Sequence, residues 1–394
     1  MDDSNLALSE AIALRISESP QQRITFAEYM NLVLYHPQHG YYTANQVKIG
    51  AQGDFFTSPH LGADFGELLA EQFVEMWQIM GCPTPFTVVE MGAGQGIMAG
   101  DILNYLKSKY SKFFEILKYI VIEKSPALKK EQQAHLHQFP IHWCELDEIP
   151  TASLIGCFFS NELVDAFPVH QFTLEAGELQ EIYVSIQEGI NFVETRGEPS
   201  TRDLINYFHL SRIKLQKNVY PDGYRSEINL AAIDWLSKVA DKLQRGYLLT
   251  IDYGYPAEKY YHPSRSEGTL QCYYQHRHHN NPFINIGRQD ITAHVNFTAL
   301  ERWGELCGLE KLGFTQQGLF LMALGLGERI AALSAIDATD GKAIVEVLQR
   351  RDALHQMINP MGLGGFGVLI QSKGLNSKEM EYSLQGLREP SFSG

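Results

Sequence analysis

The chain has little of what would commit it to several common classes of protein. Its five cysteines, Cys82, Cys144, Cys157, Cys272 and Cys307, are odd in number and form no C-x-x-C pair. Neither a disulfide framework nor a zinc cluster is indicated, and a reducing compartment is the simplest setting. Positive charge is also scarce: 32 lysines and arginines stand against 46 acids, a net charge of −14. That balance argues against the cationic footprint needed to bind a phosphate backbone and suits a cationic substrate better. No apolar run reaches the roughly 18 residues of a bilayer span, and the stretch around Leu319 to Leu326 is too short. Met1 to Asn5 is acidic, without a basic n-region or an apolar h-region, and makes a poor mitochondrial presequence. The expected location is the cytoplasm, with neither nucleic acid nor membrane as a partner. No repeat or low-complexity tract is present.

What the chain does have is an ordinary enzyme-like composition, 44% hydrophobic and 20% charged over 394 residues, enough for two domains or one α/β domain with large insertions. Residues 1–84 read as a mainly helical lid region, with amphipathic helices over Leu6 to Ile16, from Thr25 to Met30 onward, and Leu61 to Met80. Residues 85–171 alternate strands with helices, the strands being Thr87-Val88-Val89, Tyr119 to Ile122 and Cys157 to Ser160. This predicts a parallel sheet with right-handed crossovers. Residues 172–245 read as an insertion: a hairpin around Gln187-Glu188-Gly189, then a helix over Glu227 to Leu243. Residues 246–394 return to the sheet with Gly246 to Asp252 and carry a cap insertion over 253–296. A helical stretch is expected at 300–326 and a last edge strand over Phe366 to Ile370. An apolar face on the 300–326 helix could pair two copies of the chain or pack on the sheet. The cluster from His276 to His279 lacks any H-E-x-x-H or paired-cysteine spacing, so a solvated loop is favoured and no metal is expected.

The most informative segment is Val88-Val89-Glu90-Met91-Gly92-Ala93-Gly94-Gln95-Gly96, a buried strand ending in a glycine-rich turn, followed by helical spacing from Ile97 to Leu106. It places backbone N–H groups and a helix N-terminus against a ligand. The third glycine comes one residue early for the dinucleotide fingerprint G-x-G-x-x-G, and Ile97 stands where that fingerprint wants glycine. A G-x-G-x-G turn behind an acidic strand residue resembles motif I of methyltransferases that use S-adenosyl-L-methionine (SAM). Glu90 would meet the cofactor's ammonium, and the alternative is a plain tight βα turn. Glu123, closing the run Lys118 to Ile122, is placed to accept from the ribose hydroxyls or to cap the helix beginning near Ser125-Pro126. Asp147, two residues past the candidate strand Ile141 to Glu145, is placed for the adenine amino group or for a turn.

Ligands of open α/β sheets sit beyond the carboxyl ends of the strands. Asn161, Glu162 and Asp165 follow one strand, Asp252 and Tyr253 another, and all should face the crevice of the glycine turn. Methyl transfer from a sulfonium is an in-line displacement that needs alignment, a lone pair and the exclusion of water. If the acceptor is a guanidinium, paired carboxylates would orient its planar fork. Glu162, Asp165 and Asp252 are the candidates, with helix capping as the other reading of Asp165. The loop Gly53 to Pro59, with Asp54, Thr57, Ser58 and Pro59, would cover the site together with Tyr253 and the 253–296 insertion.

These segments carry a family resemblance. Phe26-Ala27-Glu28-Tyr29-Met30 with Tyr35-His36-Pro37, Gly53 to Pro59, Val89 to Gly96 followed by Gly100 to Leu103, and Asn161 to His170 match in order. So do Ile251 to Gly254, Asp290 to Phe297 and Gln316-Gln317-Gly318. On these the chain resembles the MidA family, whose mitochondrial members are complex I assembly factors with protein arginine methyltransferase activity; without a presequence it is similar to the bacterial branch. The resemblance implies an α/β, Rossmann-like SAM methyltransferase sheet with an N-terminal helical cover and an inserted α+β cap. It also implies SAM as cofactor, cradled by Gly92, Ala93, Gly94, Gln95 and Gly96, and a protein arginine as acceptor, with a respiratory complex I-type subunit as one candidate substrate. The other readings are an assembly protein that keeps the fold without turnover, a small-molecule methyltransferase, and, last, a dehydrogenase.

Overall fold

The computed structural model describes residues 3–44, 58–275, 277–334 and 341–389. These gather into two compact units, each built from separate stretches of chain. One takes its residues from 1–55, 163–236 and 254–303, and the other from 56–162, 237–253 and 304–394.

The second unit holds a seven-stranded sheet. Its strands in chain order are β1 (Phe86–Met91), β2 (Leu117–Ile122), β3 (Ile141–Trp143), β4 (Leu154–Asn161), β5 (Leu243–Asp252), β6 (Glu310–Gln316) and β7 (Gly367–Lys373). The spatial order is β6-β7-β5-β4-β1-β2-β3. The five strands from β5 to β3 run parallel, whereas β7 is antiparallel to both β5 and β6. Every residue of β1 is buried, as a strand covered on both faces by crossover helices requires. Helices α1 (Asp64–Ile79), α2 (Ile97–Lys109), α3 (Ser111–Ile116) and α4 (Pro126–His135) flank this half. Phe73, Leu103 and Phe113 from the helices meet Val88, Val121 and Phe159 from the sheet in one core.

Three expectations are corrected. The segment 300–326 is not one helical run. A helix Phe297–Leu306 stops where Gly308 turns left-handed at φ 80°, and its Leu309 N–H closes back on the Gly304 carbonyl. The chain then forms β6, and helix returns at Gln317–Ala323. Consequently Phe366 to Ile370 is not an edge strand: β7 lies between β5 and β6, and β6 takes the edge. The helix expected from Glu227 begins at Leu230, because Asn229 caps it by accepting from the Ala232 N–H. Glu227 belongs instead to the strand Arg225–Ile228.

The first unit contains the five-stranded sheet with the expected hairpin, Glu178–Gln187 paired antiparallel with Asn191–Gly197. It also holds the helices Leu6–Glu18 and Phe26–Tyr35, and a three-stranded sheet made from residues 271–274, 277–279 and 290–292. Among the described residues, no helix is long and apolar enough to cross a membrane.

Candidate cofactor and acceptor site

Strand β1 leads straight into the turn. Gly92, Gly94 and Gly96 have φ of 74°, 53° and 79°, conformations that side-chain-bearing residues adopt only under strain. Gly96 is the N-cap of α2, and a Cβ there would press Leu136 Cδ1 at 3.0 Å and Gln132 Cγ at 3.2 Å. No side chain caps α2, so the partial positive charge of its first turn is left for a ligand.

Glu90 sits one residue before the end of β1, 1% exposed. Its Oε2 accepts from the Tyr119 hydroxyl at 2.6 Å, while Oε1 has no partner among the described residues. Burial, reinforced by the Glu123 charge and opposed by the Tyr119 hydrogen bond, pushes the Glu90 carboxyl up to about 7. An orphaned carboxylate oxygen beside a glycine cradle is the acceptor an ammonium group would fill. The residues present therefore fit the amino-acid half of SAM.

On the neighbouring strand, burial likewise raises the Glu123 carboxyl above its ordinary value. Its Oε1 accepts from the Ser125 N–H at 2.9 Å and its Oε2 from Gln132 Nε2 at 3.1 Å. The cap of α4 is Ser125, whose hydroxyl accepts from the Leu128 N–H. Glu123 thus braces that turn and keeps lone pairs for a diol. Asp147 lies on the turn Leu146–Glu148, its side chain 72% exposed and paired with Lys238 at 3.2 Å. Strand β3 ends at Trp143 rather than Glu145, and that turn is boxed by Glu145 and Glu148.

Strands β4 and β5 end level, Asn161 opposite Ile251, so Glu162 and Asp252 project from adjacent strand ends. The Glu162 N–H donates to the Ile251 carbonyl at 3.0 Å, and Asn161 Nδ2 donates to Glu162 Oε1 at 3.0 Å. Glu162 has φ 52°, a strained conformation for a residue with a side chain, of the kind that clusters at functional sites. Asp252 is fully buried and accepts from the Tyr253 N–H, while the Tyr253 ring packs on Phe366. Glu162 and Asp252 therefore come together at the carboxyl edge of the sheet that carries the glycine turn. Asp165 is a buried residue of the first unit, on the turn Val164–Ala166, where its carbonyl accepts from the Ala293 N–H.

A family model of S-adenosyl-L-methionine-dependent methyltransferases matches residues 68–315. The chain belongs to this methyltransferase family. A mitochondrial protein arginine methyltransferase, the NDUFAF7 homologue of Drosophila melanogaster, is 30% identical over 86% of this chain and 79% of its own length. The human NDUFAF7 protein arginine methyltransferase is 28% identical over 86% and 78%. The crystal structure of a Burkholderia thailandensis protein described as a likely methyl transferase, bound to S-adenosylhomocysteine (SAH), superposes with a TM-score of 0.83. It is 29% identical, covering 98% of this chain and 96% of that one. SAM is accordingly the cofactor of the family to which the chain belongs.

For this methyltransferase, Asp54 and Thr57 lie outside the described residues, as does His276. Ser58 is fully buried and accepts from Gln317 Nε2 at 3.1 Å, and Pro59 shares its short helical turn. Two residues not anticipated from the sequence touch the glycine turn: Gln132, which donates to the Gly94 carbonyl, and His60, whose Nε2 meets Gln95 Oε1 at 3.1 Å. A buried Gln on α4 carries no local signal of that role.

The raised Glu90 and Glu123 carboxyls give a pH dependence whose sign is fixed. Below about 7 the free methyltransferase holds a proton on Glu90 that must leave before the carboxylate can bind an ammonium group. SAH affinity is expected to fall by up to about tenfold per pH unit below 7. Titration calorimetry in two buffers of different ionisation enthalpy would register the released proton; affinity flat from pH 5.5 to 8 would show that Glu90 does not bind the ammonium.

Proposed function

We propose that this methyltransferase transfers a methyl group from SAM to an arginine guanidinium of a protein. The observation that carries the reading is the pair Glu162 and Asp252, one strained and one fully buried, at adjoining strand ends beside the cofactor cradle. Bound SAM supplies a methyl group on a sulfonium; the rest of the chemistry falls to the chain. Two carboxylates hold the planar guanidinium by charge-assisted hydrogen bonds and draw its positive charge towards the nitrogens they touch. The remaining nitrogen keeps more of its lone pair, aligned with the methyl carbon; as the N–C bond forms the C–S bond breaks, its electron pair leaves on the sulfur of SAH, and the proton then shed by nitrogen can leave through a carboxylate. The names of the Drosophila and human relatives, both protein arginine methyltransferases, support this acceptor. By the family resemblance the acceptor protein would be a subunit of a respiratory complex I-type assembly, and we place the reaction in the cytoplasm; the five cysteines, none disulfide-bonded, are compatible with a reducing compartment.

The test is transfer of label. The purified chain, methyl-labelled SAM and an extract from cells lacking the protein should give labelled methylarginine after acid hydrolysis of the protein fraction. None should appear with Gly94→Val. Label confined to small molecules would move the acceptor out of the protein class. SAH binding without any transfer would favour an assembly role that keeps the fold without turnover.

A further inference from the structure

Helix α4 contributes a side chain that none of the cofactor motifs contains. Gln132 is fully buried, with both amide N–H groups donating and its oxygen accepting. Nε2 donates to the Gly94 carbonyl at 2.7 Å and to Glu123 Oε2 at 3.1 Å, and Oε1 accepts from Trp143 Nε1 at 3.0 Å. The indole can only donate, so the amide orientation is determined: a flipped amide would set its NH₂ against the indole and its oxygen against two other oxygens. Three elements converge on one group, the β1–α2 turn, the residue closing β2, and the end of β3. The preceding residue adds a second hold, since Glu131 Oε1 accepts from Gln95 Nε2 at 3.1 Å.

The consequence is geometric. A trans peptide points its carbonyl and the following N–H in opposite directions. With the Gly94 carbonyl fixed on Gln132, the Gln95 N–H is turned away from α4. The same amide fixes one oxygen of Glu123, leaving the other lone pairs of that carboxylate in a set direction.

We propose that Gln132 is a positioning residue for the cofactor, coupling the glycine turn that receives the methionine half to the carboxylate that receives the ribose. It touches neither the methyl group nor the acceptor. The proposal rests on the reading of this turn as the SAM cradle.

SAH binding to the full chain, measured by calorimetry, tests it. Gln132→Met keeps the volume and removes all three hydrogen bonds; SAH should bind about 30-fold or more weakly, since buried groups lose their partners together. Coupling separates positioning from mere support. Glu123→Gln should weaken SAH about tenfold in the natural background but less than about threefold when combined with Gln132→Met, because a displaced carboxylate has less left to lose. If Gln132→Met does not fold, Trp143→Phe decides. It removes the donor that orients the amide and trims the indole to a phenyl ring, on a side chain that is partly exposed and packs at the core's margin, and should weaken SAH about three- to tenfold while the protein stays folded at the assay temperature. Unaltered affinity in a folded Gln132→Met or Trp143→Phe protein, or full additivity with Glu123→Gln, overturns the proposal alone. Absence of SAH binding in the natural chain overturns it together with the cofactor reading.

Discussion

Glu90→Gln is expected to weaken SAH binding at least about 100-fold at pH 8 while making the ligand-free protein more stable at that pH. The two effects share one cause. The cradle holds a carboxyl 1% exposed, with one oxygen bonded to Tyr119 and the other unused until a cation arrives. Removing a buried charge partner of an ammonium group costs about 2 to 5 kcal/mol of binding, which spans the 100-fold loss. For stability, the folded carboxyl titrates near 7 and the unfolded one near its ordinary 4.5. Below 4.5 both states hold the proton and Glu90 contributes nothing. Between 4.5 and 7 the unfolded chain ionises first, so stability is lost as pH rises. Above 7 the loss is complete, on the order of 3 kcal/mol at 1.36 kcal/mol per unit. Gln132, Tyr119 and the turn are untouched by the substitution, and a neutral amide pays no ionisation penalty. Thermal melts at pH 5 and pH 8, with and without SAH, measure both effects. Without ligand, wild type and variant should differ by less than about 1 kcal/mol at pH 5, the variant should melt clearly higher at pH 8, and only wild type should gain from SAH. A variant that melts lower at pH 8 and still binds SAH would show that Glu90 is a structural acid.

The parts of the site legible in the sequence are those whose chemistry is local. A strand, three closely spaced glycines and a helix start are contiguous between Phe86 and Lys109, and the left-handed turn follows from residues that tolerate it. The places of Glu162 and Asp252 at adjacent strand ends were legible for a related reason, since each closes an apolar run that reads as a buried strand. Gln132 was not legible. It stands on the polar helix Pro126–His135, and its three partners lie 38, 9 and 11 residues away along the chain. The strand before Asp147 stops two residues sooner than its apolar pattern suggests, and Asp147 lies on a turn, one of the two places its sequence allowed. Strand β6 was hidden by its position at the edge, where Lys311, Leu312, Gly313 and Phe314 alternate only weakly between exposed and half-buried positions. It was masked further by Gly308, which ends one helix where the periodicity alone ran on.

Glu162→Gly separates the stability of the site from its purpose. With φ at 52°, the backbone of Glu162 costs of order 1 kcal/mol or more that glycine would not. The part-buried hydrogen bond from Asn161 that is lost with the side chain is offset by the relief of that backbone strain. The variant is expected to fold at least as stably as the natural chain and to bind SAH within about threefold, because the cradle and Glu123 are on other strands; yet kcat should fall by about 10² to 10³, the typical loss when one group stabilising developing charge is removed. Asp252→Asn should lower kcat by a similar factor. If both carboxylates hold one guanidinium, removing the second after the first costs much less than the product of the two losses, because the acceptor is already free to rotate out of line. Rates at saturating SAM for the two single variants and the double variant, beside melts of each, decide the matter. Near-normal kcat in Glu162→Gly would return the strain at that residue to the turn geometry and leave Asp252 to act without it. Strict multiplicativity would mean that the two carboxylates act on different groups.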